Sequence, residues 1–416
     1  MQNTANALPD DRRNRDAGRE RRKNITKSST PKLAQEKYAV GPMDFPFFLI
    51  VMILLVMGII MMFSAGYAWA IAEGGTGTDY VRKQLIMAVV GLVGMFFASF
   101  FDYHWFKKPI IAYGFYIMCL ILLVLCLVGP FKDPHNFSYR WVKFGTSSHN
   151  ISFQPSELMK LSIILLFAYL ISMNYSKMKQ FKYGVVPFLM FLGVVVGLMM
   201  LQPHLSGTII ICAIGVIMMF VGGTRFRHLL LLAALGAVAL GVILFVLIEL
   251  KDFSYFEKRM LSWTDPFNSE ASDDTWQTRN SLIAIGSGGL FGLGLGNSRQ
   301  KFLYLPEAKN DFVFAVVCEE LGFVGAIMVI ILFLLFIFRG LYIATKAPDK
   351  FGMMIALGLT IQIGLQALLN IAVVTNTIPN TGVSLPFFSY GGTALVMQLV
   401  QMGIILNISR QSIIET

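Results

Sequence analysis

Long runs of apolar residues alternate with short polar segments along most of this chain. Ten of these runs have about the 17–25 residues that a helix needs to cross a hydrocarbon layer of roughly 30 Å. The runs cover residues 45–66, 84–101, 109–129, 156–173, 185–201, 207–222, 228–248, 312–338, 352–374 and 387–407. Because lipid offers no partner for backbone N–H and C=O groups, we expect helices. The pattern therefore predicts an all-α polytopic membrane protein with ten transmembrane helices.

The basic residues between the predicted spans test the orientation of the chain. If the N-terminus lies inside, all four even-to-odd connections are cytoplasmic, and each of them carries lysine or arginine. These residues are Lys107, Lys108, Lys177, Lys179, Lys182, Arg225, Arg227, Arg339, Lys346 and Lys350. A miscount by one span would break the agreement. The charges therefore predict cytoplasmic termini and a large extracytoplasmic loop, residues 249–311, between helices 7 and 8.

The composition is that of a membrane protein, and it differs between the two ends of the chain and the apolar part between them. With 56% hydrophobic and only 14% charged residues, the chain is not a soluble globular protein. Residues 1–43 are polar and basic, which predicts a disordered cytoplasmic tail that sets topology or binds anionic lipid or a partner. Residues 44–410 form the predicted membrane domain, and residues 411–416 a cytoplasmic C-terminus. The four cysteines lie in apolar runs, where we expect them to act as packing residues.

The most distinctive candidate is Asp311, which ends the long loop directly before the apolar run FVFAVV. A carboxyl group at the rim of a membrane can have a raised pKa and can act in a site sheltered from water. A loop of this length is uncommon unless it is functional or disordered. It carries aromatic residues and the apolar segment SLIAIGSGGLFG, so we expect short interfacial helices. Its glycines suit close helix approach or backbone bends.

Several cations on the predicted outer side are candidate ligands for a phosphate group. Arginine offers a planar fork of donors that matches phosphate geometry. The alternative for each cation is contact with lipid headgroups, with the apolar stem lying along the membrane. The candidates are Arg140 in the 130–155 loop and Arg259, Arg279, Arg299 and Lys301 in the 249–311 loop.

The fourth span carries a charged pair near its start. Glu157 and Lys160 are three residues apart and therefore share one helix face, with Ser156 as a candidate N-cap. They form either a structural ion pair or a polar wall of a substrate cavity. His204, in the turn QPHLSG, can titrate near neutral pH, but a structural role at a helix end is the alternative.

The eighth span and the last outer loop add further candidates. Glu319 and Glu320 either pair with a basic residue of a neighbouring helix, or Glu319, eight residues from Asp311 and roughly on the same helix face, lines one cavity with it. In the second case they could help to bind a divalent cation, Mg²⁺ or Mn²⁺, the optional cofactor of the prediction. Residues 375–386 and the following SYGGT contain proline and glycine. Irregular backbone at this depth must line a cavity or lie within protein, so we expect it to close over Asp311.

The motifs together resemble the SEDS (shape, elongation, division and sporulation) glycosyltransferases. The resemblance covers nearly all of residues 45–410. It rests on RW followed by QPSELMK, on QPHLSGT, on AIGSGGLFGLGLGNSRQK, on YLPEAKNDFVFAVVCEELG and on LPFFSYGGT. The form GLGLGNSRQKFLYLPEA is closer to the FtsW and SpoVE branch than to the RodA branch.

The resemblance implies an enzyme that polymerises lipid II into glycan strands on the outer leaflet of the bacterial cytoplasmic membrane. It implies ten spans, a class B penicillin-binding transpeptidase as partner, other division proteins, and an essential aspartate at Asp311. The glutamate and lysine of the fourth span fall at Glu157 and Lys160. Two positions depart from the family pattern: Lys309 replaces a frequent histidine, and His204 replaces a frequent aspartate.

The predicted activity is therefore that of a peptidoglycan glycosyltransferase for cell division or sporulation, with undecaprenyl diphosphate as the leaving group. Asp311 is the predicted catalytic base, and Arg140, Glu157, Lys160, Arg259, Arg279 and Lys301 are the predicted substrate-binding residues. Two rivals stay open: a flippase for the lipid-linked precursor and a division scaffold without chemistry. The polar residues cluster on one predicted side, which favours the enzyme, because a flippase needs access from both.

Overall fold

The computed structural model describes most of the predicted membrane domain. The described residues are 41–127, 132–135, 138–144, 151–202, 204–234, 236, 260, 262–267 and 273–411. The predicted tail and C-terminal segment lie almost wholly outside these ranges. So does most of the predicted span 228–248.

Helices make up nearly all of the described chain. They are α1 (Phe45–Ala72), α2 (Asp79–Phe100), α3 (Pro109–Leu127), α4 (Pro155–Asn174), α5 (Val186–Leu201), α6 (Leu205–Val221), α7 (226–234), α8 (Asp273–Gly288), α9 (Val313–Lys346), α10 (Lys350–Val374) and α11 (Gly392–Arg410). Within the described ranges, eight helical segments are long and apolar enough to cross a membrane: α1–α3, α4 extended to Lys177, α5 together with the short helix Phe181–Gly184 that precedes it, and α9–α11. The apolar helix α6 is shorter. Nine of the ten predicted spans thus coincide with helices.

The helix starts follow from local sequence. Asp44 caps α1, with its carboxylate accepting the N–H of Phe47, and Asp349 caps α10 through the N–H of Gly352. At α4 the structure corrects the prediction of Ser156 as the cap. Pro155 occupies the first helical position, which suits its fixed φ, so Ser156 lies inside the first turn.

Helices α4 and α10 form the centre of the described bundle. In the most apolar 18-residue stretch of each helix, 78% of α4 and 61% of α10 is buried inside the protein. The corresponding share is 28% in both α2 and α3. The two helices contact each other and are both packed against α6. Polar side chains on α4 and α10 are therefore held inside the protein rather than in lipid.

A small antiparallel sheet departs from the all-α prediction. It consists of β1 (Lys132–His135), β2 (Ser138–Phe144) and β3 (Ile151–Phe153), in the order β1–β2–β3. Val142 is fully buried and pairs with Phe153 across the β2–β3 ladder. The segment SYRWVKF is rich in aromatic and β-branched residues, which favour strands. The 249–311 loop contains the predicted helical structure as α8.

The glycines of the long loop allow a close backbone contact with a break in α9. Gly322 has φ 68° and ψ −166°, a conformation essentially restricted to glycine. The loop fills the gap, because the N–H groups of Leu293 and Gly294 donate to the carbonyls of Glu319 and Glu320 at 2.9 and 3.0 Å. The predicted role of these glycines in close approach and bending is confirmed.

We expect Gly322→Ala to destabilise the protein strongly. An added Cβ would lie 2.3 Å from the backbone nitrogen of Gly292, and the backbone strain alone costs about 1–3 kcal/mol. Gly193→Ala in α5 is the matched control, since nothing lies within 4 Å of its Cβ position and alanine favours helix. Thermal unfolding in detergent should show a large drop for Gly322→Ala alone. Equal melting temperatures would contradict the role of the break.

The predicted cytoplasmic loops gather at one end of the described bundle. Lys107 pairs with Asp349 at 3.0 Å, and Arg339 binds Asp44 through two nitrogens. The hydroxyl of Thr224 donates to the carbonyl of Gly184. The ammonium of Lys350 lies over the ring of Tyr175. These contacts link all four basic connections, and the Gly41 N–H donates to the Arg410 carbonyl. The grouping required by the charge pattern is therefore present.

Candidate functional site

Asp311 lies in the turn that precedes α9, two residues before the first helical residue. Its side chain is half-buried. A Cβ added to Gly382, in the loop between α10 and α11, would lie 3.3 Å from Oδ2 of Asp311. The N–H of Tyr390 in the same loop donates to the carbonyl of Lys309 at 2.8 Å. The loop between α10 and α11 therefore lies against the Asp311 segment, as expected of a loop that closes over the same cavity.

Lys309 ties the Asp311 segment to the turn between α1 and α2. Its ammonium lies 3.2 Å from Oε1 of Glu73, donates to the hydroxyl of Tyr80 at 2.6 Å, and sits over the rings of Tyr80 and Trp69. The hydroxyl of Tyr80 donates to Glu73. This hydrogen bond lowers the pKa of Glu73, and Lys309 adds to the effect. Lys309, which stands where the family often has histidine, therefore anchors the turn between α1 and α2.

Glu157 and Lys160 form the ion pair that their spacing predicts. Their charged atoms are 2.8 Å apart, and both side chains are buried. The ammonium of Lys160 also donates to Gln366 on α10, whose amide donates to the carbonyl of Ser384 at 3.1 Å. The pair is therefore connected through one side chain to the loop that contacts Asp311. This link favours a role for the pair in shaping the site.

His204 lies at the start of α6 and contacts the start of α4. Its Nε2 is 3.2 Å from both Nε2 of Gln154 and Oγ of Ser156. The side chain is buried. These contacts are those of a polar residue that joins two helix starts, which is the structural alternative of the prediction.

The predicted phosphate ligands are distributed over several elements. Arg140 belongs to β2, and its side chain lies outside what the structure describes, as does the whole of Arg259. Arg279 is exposed on α8, with its guanidinium 6.0 Å from the ring centre of Phe267. Helix α8 is joined to the Asp311 side of the protein, because Ser281 donates to the carbonyl of Val374 at 2.8 Å. Arg279 is therefore an exposed cation on a helix that contacts the C-terminal end of α10.

Lys301 belongs to a different, fully buried cluster. Its ammonium is 2.9 Å from Oε1 of Glu320 and from Oγ of Ser64, and it donates to the carbonyl of Gly296. Glu319 accepts from Oγ of Ser298 and from the N–H of Arg299 at 2.9 Å. The acids of α9 are thus occupied by the loop that precedes Asp311. The pairing alternative is correct for Glu320, with its partner on a loop rather than on a helix.

No group of three or more His, Cys, Asp or Glu side chains that could hold a metal occurs in the described part of the chain. Glu319 is the one acid predicted to share a site with Asp311. Its carboxylate oxygens accept hydrogen bonds from Oγ of Ser298 and from the N–H of Arg299. Asp311 and Glu319 therefore do not form the predicted shared cation site, and no step of the reaction is assigned to a divalent cation.

Sequence reasoning missed the polar residues of α10. Gln362, Gln366 and Asn370 are four residues apart and therefore share one helix face. All three are buried, and Asn370 donates to the main chain of Asp311. A polar stripe at helical spacing inside an apolar span was the available signal, since such residues face the protein interior.

The fold and the site define a multi-pass helical membrane protein. One end is occupied by basic loops, and the other holds a half-buried carboxylate under an irregular loop. The chain belongs to the FtsW/RodA/SpoVE family of cell cycle proteins, whose model matches residues 45–413.

Named relatives and solved structures agree with this assignment. Stage V sporulation protein E of Bacillus subtilis (strain 168) is 37% identical over 88% of this chain and 96% of its own length. A probable peptidoglycan glycosyltransferase FtsW of Geobacter sp. (strain M18) is 34% identical over 86% of this chain and 94% of that protein.

Two solved structures share the fold at 26% identity. One comes from a study of how a peptidoglycan synthase complex coordinates polymerization and crosslinking; it has a TM-score of 0.71 and covers 88% of this chain and 98% of that chain. The other is the rod shape determining protein RodA of Thermus thermophilus, with a TM-score of 0.63, covering 89% and 97%.

Proposed function

We propose that this chain is a peptidoglycan glycosyltransferase that polymerises lipid II into glycan strands at the outer face of the cytoplasmic membrane. The name of one relative supports the reaction. The sporulation name of another relative and the description of the family as cell cycle proteins support a role in division or sporulation. The single observation that carries the assignment of a site is the half-buried Asp311 beneath the Gly382 loop. It offers one carboxylate at a membrane end, protected on one side by protein.

The proposed reaction is a single displacement at the anomeric carbon of the donor sugar. The carboxylate of Asp311 accepts the proton of the acceptor hydroxyl, which requires a separation of about 3 Å or one bridging water. The hydroxyl oxygen forms the new glycosidic bond, and the bond to the diphosphate breaks with its electron pair. Undecaprenyl diphosphate leaves, and the configuration at the anomeric carbon inverts.

Cations stabilise the negative charge that develops on the leaving diphosphate. Arg279 supplies one of them in this proposal, because it is exposed on a helix joined to the outer loop. Arg140 and Arg259, from loops that the charge pattern predicts to be extracytoplasmic, are proposed for the same role. The ion pair of Glu157 and Lys160 shapes the site through Gln366 rather than by meeting the diphosphate itself.

The membrane arrangement is part of the same proposal. Ten spans with cytoplasmic termini put the basic connections inside and Asp311 outside, in agreement with the charge pattern. A class B penicillin-binding transpeptidase is the proposed partner. The relative studied within a peptidoglycan synthase complex supports this pairing of polymerisation with crosslinking.

We expect the purified protein to convert lipid II into glycan polymer, with more product when a class B transpeptidase is present. Polymer length is measured on gels, and headgroup exposure is followed in vesicles under the same conditions. Polymer formation supports the glycosyltransferase. Movement of the headgroup across the vesicle membrane without polymer, with and without the partner, would instead support the flippase.

A further inference from the structure

Three consecutive main-chain carbonyls at the proposed base accept hydrogen bonds from other elements. The carbonyl of Lys309 accepts from the N–H of Tyr390 at 2.8 Å. The carbonyl of Asn310 accepts from Oγ of Ser389 at 2.5 Å. The carbonyl of Asp311 accepts from Nδ2 of Asn370 at 2.7 Å. The backbone that carries the carboxylate is thus held at every residue.

The two side-chain donors are themselves fixed to the loop that covers Asp311. Nδ2 of Asn370 also donates to the carbonyl of Val383 at 2.6 Å, so one amide group spans the turn and the loop. Oγ of Ser389 accepts the N–H of Leu385 at 2.7 Å while it donates to Asn310. Asn370 is fully buried, and Ser389 is 9% exposed. Neither donor can exchange its partner for water without opening the protein.

The location of Asp311 explains why such support matters. Because it precedes the first residue of α9, helix geometry does not fix its direction. A general base must lie within hydrogen-bond distance of the proton that it accepts, and displacement by about 1 Å can reduce the rate about a hundredfold. The turn must therefore be held in place by another element of the fold. Asn370 does this by connecting the turn to the central helix α10.

We propose that Asn370 and Ser389 are positioning residues for Asp311, which hold its backbone against the Gly382 loop during glycosyl transfer. The inference rests on the proposed function of Asp311 as the base. Neither side chain acts on the substrate, so their loss changes the rate of the chemical step more than the binding of lipid II.

The test measures kcat and KM for lipid II polymerisation by Ser389→Ala and Asn370→Ala in the full chain. We expect kcat to fall about tenfold for Ser389→Ala and about a hundredfold for Asn370→Ala, with KM nearly unchanged. Ser389→Thr keeps the hydroxyl and should recover most of the activity. If Asn370→Ala fails to fold, Ser389→Ala and its threonine rescue still decide the question.

Matched controls come from the opposite end of the bundle. Ser409 is also 9% exposed, donates to the Leu406 carbonyl and accepts the N–H of Asp44. Asn407 is buried and donates to the Ser99 carbonyl at 2.9 Å. Ser409→Ala and Asn407→Ala should lose similar stability but keep kcat. Equal loss of kcat in the controls would show a general structural effect and overturn the proposal.

Asp311→Asn separates this inference from the proposed function. If Asp311→Asn is inactive while Ser389→Ala and Asn370→Ala keep the wild-type kcat, the positioning role is wrong and the base assignment stands. If Asp311→Asn retains full activity, the proposed function of Asp311 fails first, and the positioning role fails with it.

Discussion

Asp311→Asn should lower lipid II polymerisation by about 10²–10⁴-fold, the usual contribution of a general base. The amide has nearly the same volume, so it fits beside Gly382 as the carboxylate does. The main-chain carbonyl still accepts from Asn370, because the substitution does not change the backbone. The protein should therefore fold and bind lipid II while the chemical step is lost. Polymer yield, melting temperature and lipid II binding are measured on the same preparation.

The control for this substitution is Asp102→Asn at the opposite end of the bundle. The Asp102 side chain is 60% exposed and accepts the N–H of His104, a role that asparagine can also fill. Activity close to wild type is expected there. Wild-type activity in Asp311→Asn itself would remove the carboxylate from the mechanism and assign the role of base to another group.

The sequence predicted the helices well because the hydrophobic pattern reports on lipid contact, but it made the first two helices too short, α1 at its end and α2 at its start. The predicted first span ends at residue 66, whereas α1 continues to Ala72. The predicted second span starts at residue 84, whereas α2 starts at Asp79 and includes Arg82 and Lys83. Charged side chains end an apolar run but do not end a helix, since they reach into the polar zone from its first turns, and this accounts for the earlier start of α2. No charged residue lies between residue 66 and Ala72, so this reason does not apply to the end of α1.

Local spacing predicted one buried ion pair and could not predict the other. Glu157 and Lys160 are three apart on one helix, so their contact follows from helix geometry. Lys301 and Glu320 are brought together by the close approach of Gly292 and Gly322, which no local pattern encodes. The same limit applies to the site itself. The sequence identified Asp311 as a candidate, but its support by Asn370 and Ser389 depends on the tertiary fold.

The other large effect is expected from Lys301→Met, which should destabilise the protein by about 3–5 kcal/mol. The side chain of Lys301 is 3% exposed and that of Glu320 is not exposed at all, so removal of the lysine leaves a buried carboxylate without its cation. Glu319 adds a second buried acid next to it in the chain. Thermal unfolding in detergent, compared with wild type, measures the loss.

The double variant Lys301→Met/Glu320→Gln should recover much of this loss, because it removes both charges of the pair together. The control is Lys107→Met, whose pair with Asp349 has nearly the same length, 3.0 Å, but with side chains 41% and 22% exposed. An exposed pair contributes about 0–1 kcal/mol, so that variant should unfold close to wild type. Equal losses in the two single variants would contradict the importance of burial.

Activity of the double variant also decides between the two roles of Lys301. If Lys301 serves only to hold the 289–301 segment against the break in α9, a double variant with recovered stability should polymerise lipid II normally. If the ammonium leaves Glu320 to meet the diphosphate, as its position in the long loop first suggested, stability should return without activity. The buried geometry favours the first result, because a lysine that contacts Ser64, Gly296 and Glu320 must break three interactions to reach a substrate.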